Sequence, residues 1–304
     1  MTATPLRIGM IGLDTSHCTT FASMLNDPAH RCHVPGGTVT VAYAGGSPDF
    51  DLSWSRVPGI AAELQDRFGI RLLDTPEEVA ASCDAILLTA VDGRSHRELI
   101  AAIAPYGKPV YVDKPFALQA EDALEMIRLS EQYGMPMFTC SAVRYGPPLR
   151  LVLDNEPSGG WFGADISGPM SLEPTQNGLF WYGIHTVEVL FAVMGPGCKQ
   201  VSAVSTEQHE WVTGLWEDGR IGTVRGNRAG CPKFHALLHR PEGAVSVDIL
   251  GQQSSEAYQQ LLIDFLHMAE GGAAPVLLSL SLEIVRFLES ANASRQNAGQ
   301  WIPL

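Results

Sequence analysis

The run Ile8-Gly9-Met10-Ile11-Gly12-Leu13-Asp14-Thr15-Ser16-His17 joins an apolar stretch to a helical one with a glycine near the junction. In a doubly wound fold, free N–H groups at such a helix start hold the pyrophosphate of a dinucleotide. The pattern sought is G-x-G-x-x-G. Gly12 fills its first place, and Asp14 and His17 stand at the second and third. Asp14 either faces a phosphate or turns toward the helix N–H groups, where it or Thr15 would act as a cap. The two readings are compatible. Gly12, Asp14, Thr15, Ser16 and His17 are therefore the candidate cofactor contacts. After the second apolar run, Val41-Ala42-Tyr43-Ala44 leads into Gly45-Gly46-Ser47, without the acid that takes the ribose hydroxyls of NAD. This short loop, with Ser47 as its candidate contact, leaves room for a 2′-phosphate. Arg56 is the nearest arginine, and NAD and NADP are not distinguished.

A second constellation lies in Phe180-Trp181-Tyr182-Gly183-Ile184-His185-Thr186-Val187-Glu188. Positions 181, 185 and 188 fall on one face if the segment is a helix. The other histidines are weaker. His30, Cys32 and His33 crowd one loop, and His235 and His239 lie four apart. Zinc needs a compact set of about four ligands, which neither group offers, so no metal site is expected.

The elements that must position these residues follow from apolar patterning. Leu6–Ile11, Val39–Ala44, Ile70–Leu73, Ala85–Ala90, Val110–Val112 and Met135–Thr139 are continuous apolar runs, as strands buried on both faces should be. Helical patterns such as Ala61–Phe68, His96–Ala104 and Ala120–Tyr133 separate them. Repeated β-then-α units predict a parallel, doubly wound sheet. The texture changes after Arg144-Tyr145-Gly146-Pro147-Pro148. A helix is expected over Leu149–Asn155, broken by Ser158-Gly159-Gly160. Val201–Ser205, Trp211–Trp216, Ile221–Arg225, Phe234–His239 and Val245–Ile249 then read as strands. Glu217-Asp218-Gly219-Arg220 is a hairpin signal. Helices return near 256–270 and 279–296, so this half reads as an antiparallel sheet with helices on one face.

With 304 residues, 45% of them hydrophobic, the chain can bury one large core or two ordinary ones. Its 20 basic and 33 acidic residues give a formal charge of −13, which disfavours nucleic acid and anionic membranes as partners. No apolar segment approaches the roughly 20 residues of a membrane helix. Met1 to Pro5 lacks the basic stretch of a secretory signal. Six cysteines without a CxxC pair suit reduced thiols in a cytoplasmic protein.

Val110-Tyr111-Val112-Asp113-Lys114-Pro115 resembles the Glu-Lys-Pro strand end of the Gfo/Idh/MocA oxidoreductases, named after glucose–fructose oxidoreductase and inositol dehydrogenase. Asp74-Thr75-Pro76-Glu77-Glu78 and the Asp84–Ala90 strand agree with that pattern. So do Ser141-Ala142-Val143-Arg144-Tyr145 at the domain junction and the closing Gly299-Gln300-Trp301-Ile302-Pro303-Leu304. His185 matches the histidine of the family's Asp-x-x-x-His-x-x-Asp helix, Glu188 stands for the trailing acid, and Trp181 occupies the place of the first Asp. The resemblance implies a Rossmann domain over 1–140. A substrate-binding and oligomerisation α/β domain with a mostly antiparallel open sheet would follow over 141–304, its final strand free to return near the first domain. It implies Lys114 and His185 as catalytic residues meeting at one cleft. Lys114 and Pro115 would be cofactor contacts, and Lys114, Arg144, Trp181 and His185 substrate contacts. The implied reaction is NAD- or NADP-dependent hydride transfer at a hydroxyl or carbonyl carbon of a sugar, cyclitol or related small polar molecule. The implied assembly is a homodimer or homotetramer built through the C-terminal sheet. A redox-neutral lyase or isomerase, or a small-molecule-binding protein on the same fold, remains the alternative.

Overall fold

A computed structural model describes residues 4–155, 160–252 and 254–304. Two compact units account for the chain. One comprises residues up to 117 with 121–140 and 258–278, and the other comprises 118–120, 141–257 and 279–304.

In the first unit the chain runs β1 (Leu6–Ile11), α1 (His17–Asn26), β2 (Gly37–Tyr43), α2 (Asp51–Trp54), α3 (Val57–Phe68), β3 (Arg71–Leu73), α4 (Pro76–Ser82), β4 (Ala85–Leu88), α5 (His96–Ile103), β5 (Val110–Val112), α6 (Ala120–Tyr133) and β6 (Met137–Thr139). The strands form one sheet in the order β3-β2-β1-β4-β5-β6, with every pair parallel. All four residues of β4 and all three of β5 are buried, because helices cover both faces. Local chemistry sets the helix starts. At α4, Thr75 accepts from the Glu78 amide, Pro76 takes the first turn, and the Glu78 carboxylate accepts from the Asp74 amide. The strand order reverses between β1 and β4, which puts the switch point of the sheet at their C-terminal ends.

The second unit holds α7 (Pro147–Leu153), β7 (Gly163–Pro169), α8 (Gly183–Met194), β8 (Cys198–Ser205), β9 (His209–Trp216), β10 (Ile221–Asn227), β11 (His235–Arg240) and β12 (Gly243–Asp248). Its sheet has the order β12-β11-β7-β10-β9-β8-β13, where β13 is Ile302–Pro303. Only β7–β10 among these pairs is parallel. Two further helices are α9 (Ser254–Ala269) and α10 (Leu278–Gln296). One face of the sheet packs on α8 and α10: Phe191 and Phe287 meet edge to face at 5.5 Å, and the Ala203 amide donates to Ser294. The other face exposes Val204, Trp211, Ile221 and Leu237.

Two expectations need correction, and one strand escaped them. Strand β7 was not legible, because its two glycines, aspartate and terminal proline are all depleted in strands. Gly168 is there because a Cβ would come within 2.4 Å of the Phe234 ring. The helix expected at Leu149–Asn155 runs over Pro147–Leu153, since prolines suit a first turn; its expected break at Ser158-Gly159 lies outside the described residues. Residues 258–278, read from sequence order as part of the second domain, group instead with the first unit. The closing strand pairs with β8 in the second sheet. Among the described residues, no helix is long and apolar enough to cross a membrane.

Candidate functional site

The loop from β1 to α1 lies at the switch point of the first sheet. Gly12 has φ +88°, and a Cβ there would lie 2.5 Å from the Ala90 backbone. Only glycine allows this approach of the loop to the end of β4. The N-cap of α1 is Ser16, and no side chain caps the helix. Thr15 reaches the His17 amide only at 3.5 Å. The Cys18 amide donates to the Thr15 carbonyl at 3.1 Å, and the Ser16 side chain takes no first-turn amide, so this helix start still directs its dipole at the loop, which suits an anion.

Asp14 neither caps that helix nor faces outward. It is 1% exposed, and its two oxygens accept from Ser53 Oγ at 2.6 Å and the Val91 amide at 2.9 Å. Ser53 in turn accepts from the Ser47 amide at 2.9 Å, so Asp14 ties the loops after β2 and β4 to the loop after β1. Burial raises the Asp14 carboxyl above its usual range, against the bonds from Ser53 and Val91. The like charge expected beside a phosphate is therefore drawn inward, and the loop is compatible with a dinucleotide. Asp14→Ala orphans a buried hydroxyl and a buried amide, and is expected to cost about 1–3 kcal/mol in urea unfolding. Ser53→Ala should couple to it in a double-mutant cycle; strictly additive losses would contradict the bond.

His17 does not behave as a stand-in for glycine. Its Nδ1 lies 2.5 Å from Asp113 Oδ2, and Tyr258 meets its Nε2 at 3.0 Å. Tyr111 donates to Asp113 Oδ1 at 3.0 Å, and the Lys114 amide donates to the same oxygen at 2.8 Å. Burial works to raise the Asp113 carboxyl, but His17 and Lys114 outweigh it and hold it at about 2. Asp113 thereby fixes the turn that carries Lys114 and Pro115, whose shared peptide bond is cis. Burial lowers the Lys114 pKa, Asp113 opposes this, and the charge on Arg56 reinforces it.

In the second unit, α8 begins at Gly183, so Trp181 precedes the helix instead of sharing a face with His185 and Glu188. His185 Nδ1 lies 2.6 Å from Ser141 Oγ, and its ring packs edge-on to Tyr182 at 4.9 Å and Phe234 at 5.8 Å. Arg144 donates to Glu188 Oε2 at 2.9 Å. Burial pushes the Glu188 carboxyl up to about 7, against the opposing effect of Arg144.

Ser141 and Tyr258 are the residues that sequence reasoning missed. Tyr258 stands 241 positions from His17, and no local pattern links them. Ser141 lay in the junction segment but carried no motif of its own. His239 pairs with Asp165 at 2.8 Å on the second sheet, and His33 bonds the Met24 carbonyl. Among the described residues no three His, Cys, Asp or Glu side chains cluster as metal ligands would.

Residues 6–139 match the GFO_IDH_MocA family, described as an oxidoreductase family with an NAD-binding Rossmann fold. An inositol 2-dehydrogenase from Cereibacter sphaeroides is 30% identical over 132 residues, 42% of this chain and 34% of that protein. The match thus spans about a third of the length of that curated relative. Among solved structures, GenD2 from gentamicin A biosynthesis, in complex with NAD, superposes with a TM-score of 0.81 at 15% identity, covering 100% of this chain and 97% of its own. A myo-inositol dehydrogenase from Lactobacillus casei, in complex with NAD(H) and myo-inositol, gives 0.78 at 12% identity, covering 99% and 97%. At such identities the structural likeness carries the fold. The sequence match, the six-stranded parallel sheet and the Asp113-Lys114-Pro115 turn agree: residues 6–139 form a Rossmann domain similar to that of the Gfo/Idh/MocA oxidoreductase family, whose model they match.

Proposed function

We propose that the protein is an NAD(P)-dependent oxidoreductase acting on a hydroxyl or carbonyl carbon of a sugar, cyclitol or related small polar molecule. The observation that carries this reading is the loop at the switch point, where Gly12 meets the end of β4, α1 starts without a side-chain cap, and the Asp14 charge is drawn inward. Gly12, Thr15, Ser16 and His17 would line the pyrophosphate, Ser47 the adenosine ribose, and Lys114 and Pro115 the nicotinamide end. A nicotinamide dinucleotide held there supplies or accepts the hydride.

The chain's own groups bind, orient and move protons. Lys114 steadies a substrate oxygen and lowers the cost of charge developing on it. Its depressed pKa makes its proton easier to release. His185 is the second polar group offered to substrate, with Arg144 and Trp181 as further contacts. The inositol dehydrogenases among the similar proteins support a polyol substrate class.

Fluorescence titration with the oxidised and reduced forms of both dinucleotides should give saturable binding of at least one. No saturation up to millimolar concentration would reject the assignment. The reading extends to assembly and location. We place a homodimeric or homotetrameric contact on the open face of the second sheet, which exposes Trp211, Ile221 and Leu237. Light scattering at micromolar concentration should return at least twice the 32.8 kDa of one chain; a single-chain mass would exclude the contact. Six cysteines that form no disulfide among the described residues, five of them buried, support a cytoplasmic location.

A further inference from the structure

His17 is the first residue of α1, yet its ring reaches the end of β5, 96 positions away in the chain. Three donors converge there on the buried Asp113 carboxylate. The Tyr111 hydroxyl and the backbone amide of residue 114 both donate to Oδ1, at 3.0 and 2.8 Å. Oδ2 meets His17 Nδ1 at 2.5 Å. Asp113 is ionised in these surroundings, and a carboxylate only accepts, so Nδ1 must carry a proton. The other ring nitrogen, Nε2, meets the Tyr258 hydroxyl at 3.0 Å. With both nitrogens engaged, the imidazole has no donor left for a pyrophosphate. Its plane is fixed as well. Phe21, one helical turn on, stacks on it at 5.6 Å, and Tyr258 meets it edge-on at 5.1 Å. The ring is thus a rigid link between the start of α1 and the end of β5.

We propose that His17 is a positioning residue: through Asp113 it braces the turn that presents Lys114 to substrate. The proposal rests on the oxidoreductase reading for the role of Lys114. The brace itself stands on the Asp113 bonds. Without His17, Oδ2 is a buried anionic oxygen with one donor fewer, and the carboxylate gains by leaving its native position for another donor or for water. The amide of residue 114 then loses a fixed acceptor, and the lysine its fixed origin. A misplacement of about 1 Å at a catalytic group can lower a rate by about 100-fold. Asparagine is the informative replacement at 17. Its amide nitrogen stands near the place of Nδ1 and can donate to Oδ2, but it has no atom that reaches Tyr258.

The chain has four lysines, Lys108, Lys114, Lys199 and Lys233, so 15N-lysine labelling of the full-length protein gives four backbone amide signals. Lys114→Arg identifies the signal of residue 114 by its loss. Deuterium exchange of that amide reads the brace without dinucleotide or turnover. The expected result is slow exchange in the wild type, about tenfold faster exchange or more in His17→Ala, and recovery in His17→Asn. The other lysine amides should keep their rates. Alanine is the better helix former, so a weakened α1 does not account for such a change. Turnover should follow: kcat falls by about 10–100-fold in His17→Ala and recovers most of that in His17→Asn, while dinucleotide affinity falls by less. Wild-type exchange at residue 114 in His17→Ala would overturn the proposal. So would an asparagine variant no better than alanine, or an affinity loss as large as the loss of kcat. If the alanine variant does not fold, 15N spectra of the histidine rings decide, with His17 identified by its loss in His17→Asn. A pyridine-like His17 Nδ1 in the wild type would overturn the brace. The expected exchange beside a failed nicotinamide titration would sink the oxidoreductase reading alone, and the reverse pair of results would sink only this one.

Discussion

Lys114→Ala and His185→Ala are each expected to lower kcat by about 10²–10⁴, the range that positioned proton-handling groups contribute. Lys114 offers the larger loss, because truncation removes both a charge and a proton donor. The turn beneath it should survive, since the backbone amide of residue 114 donates to Asp113 whatever the side chain. Dinucleotide affinity should stay within a few fold in the His185 variant and fall further in the Lys114 variant, which also loses a contact at the nicotinamide end. If the two groups act on one transition state, the double variant should lose less than the product of the single losses. Steady-state kinetics beside fluorescence titration separates these effects. A Lys114→Ala enzyme that keeps turnover within tenfold of wild type would remove the lysine from the reaction. Fully multiplicative losses would assign the two residues to separate steps.

What was legible in the sequence, and what was not, divides along locality. Strands β1, β4 and β5 were visible because a strand buried on both faces is a continuous apolar run. The start of α4 was visible because Thr75, Pro76 and Glu78 each act within one turn. Strand β7 was hidden because its residues answer to neighbours such as Phe234, not to strand propensity. The role of Asp14 was hidden for the same reason. Its partners Ser53 and Val91 are 39 and 77 positions away, so no local spacing announces them. Likewise the return of 258–278 to the first unit leaves no periodic trace, although it delivers Tyr258 to His17. Trp181 was placed on a helix by its spacing from His185. The backbone at Tyr182, with φ −125° and ψ −23°, instead delays the helix until Gly183. Lys114 and His185 were singled out by motif resemblance. Their supports, Asp113 and Ser141, act through geometry that only folding creates.

The pair Arg144–Glu188 should dominate the pH dependence of stability in the second unit. The side chains are 13% and 3% exposed and bond at 2.9 Å. Burial raises the Glu188 pKa from the usual 4.5 to about 7. Below pH 4.5 the acid is neutral in both folded and unfolded chains, and its burial carries no charge penalty. As pH rises from about 4.5 to 7 the unfolded chain ionises first, so stability falls, by about 3 kcal/mol for a shift of this size. Above 7 the loss is complete. Arg144 keeps it from being larger, so Arg144→Met leaves an unpaired buried carboxylate and should cost about 3–5 kcal/mol at pH 8. At pH 5 the acid is protonated and the same variant should lose much less. Glu188→Gln removes the ionisation, so its advantage over wild type should grow between pH 5 and 8. Added to Arg144→Met, it should recover most of the loss at pH 8. Urea unfolding of the four proteins at both pH values measures each expectation. An Arg144→Met loss equal at pH 5 and pH 8 would mean that the guanidinium stabilises the fold through packing, and that the Glu188 charge is not what it offsets.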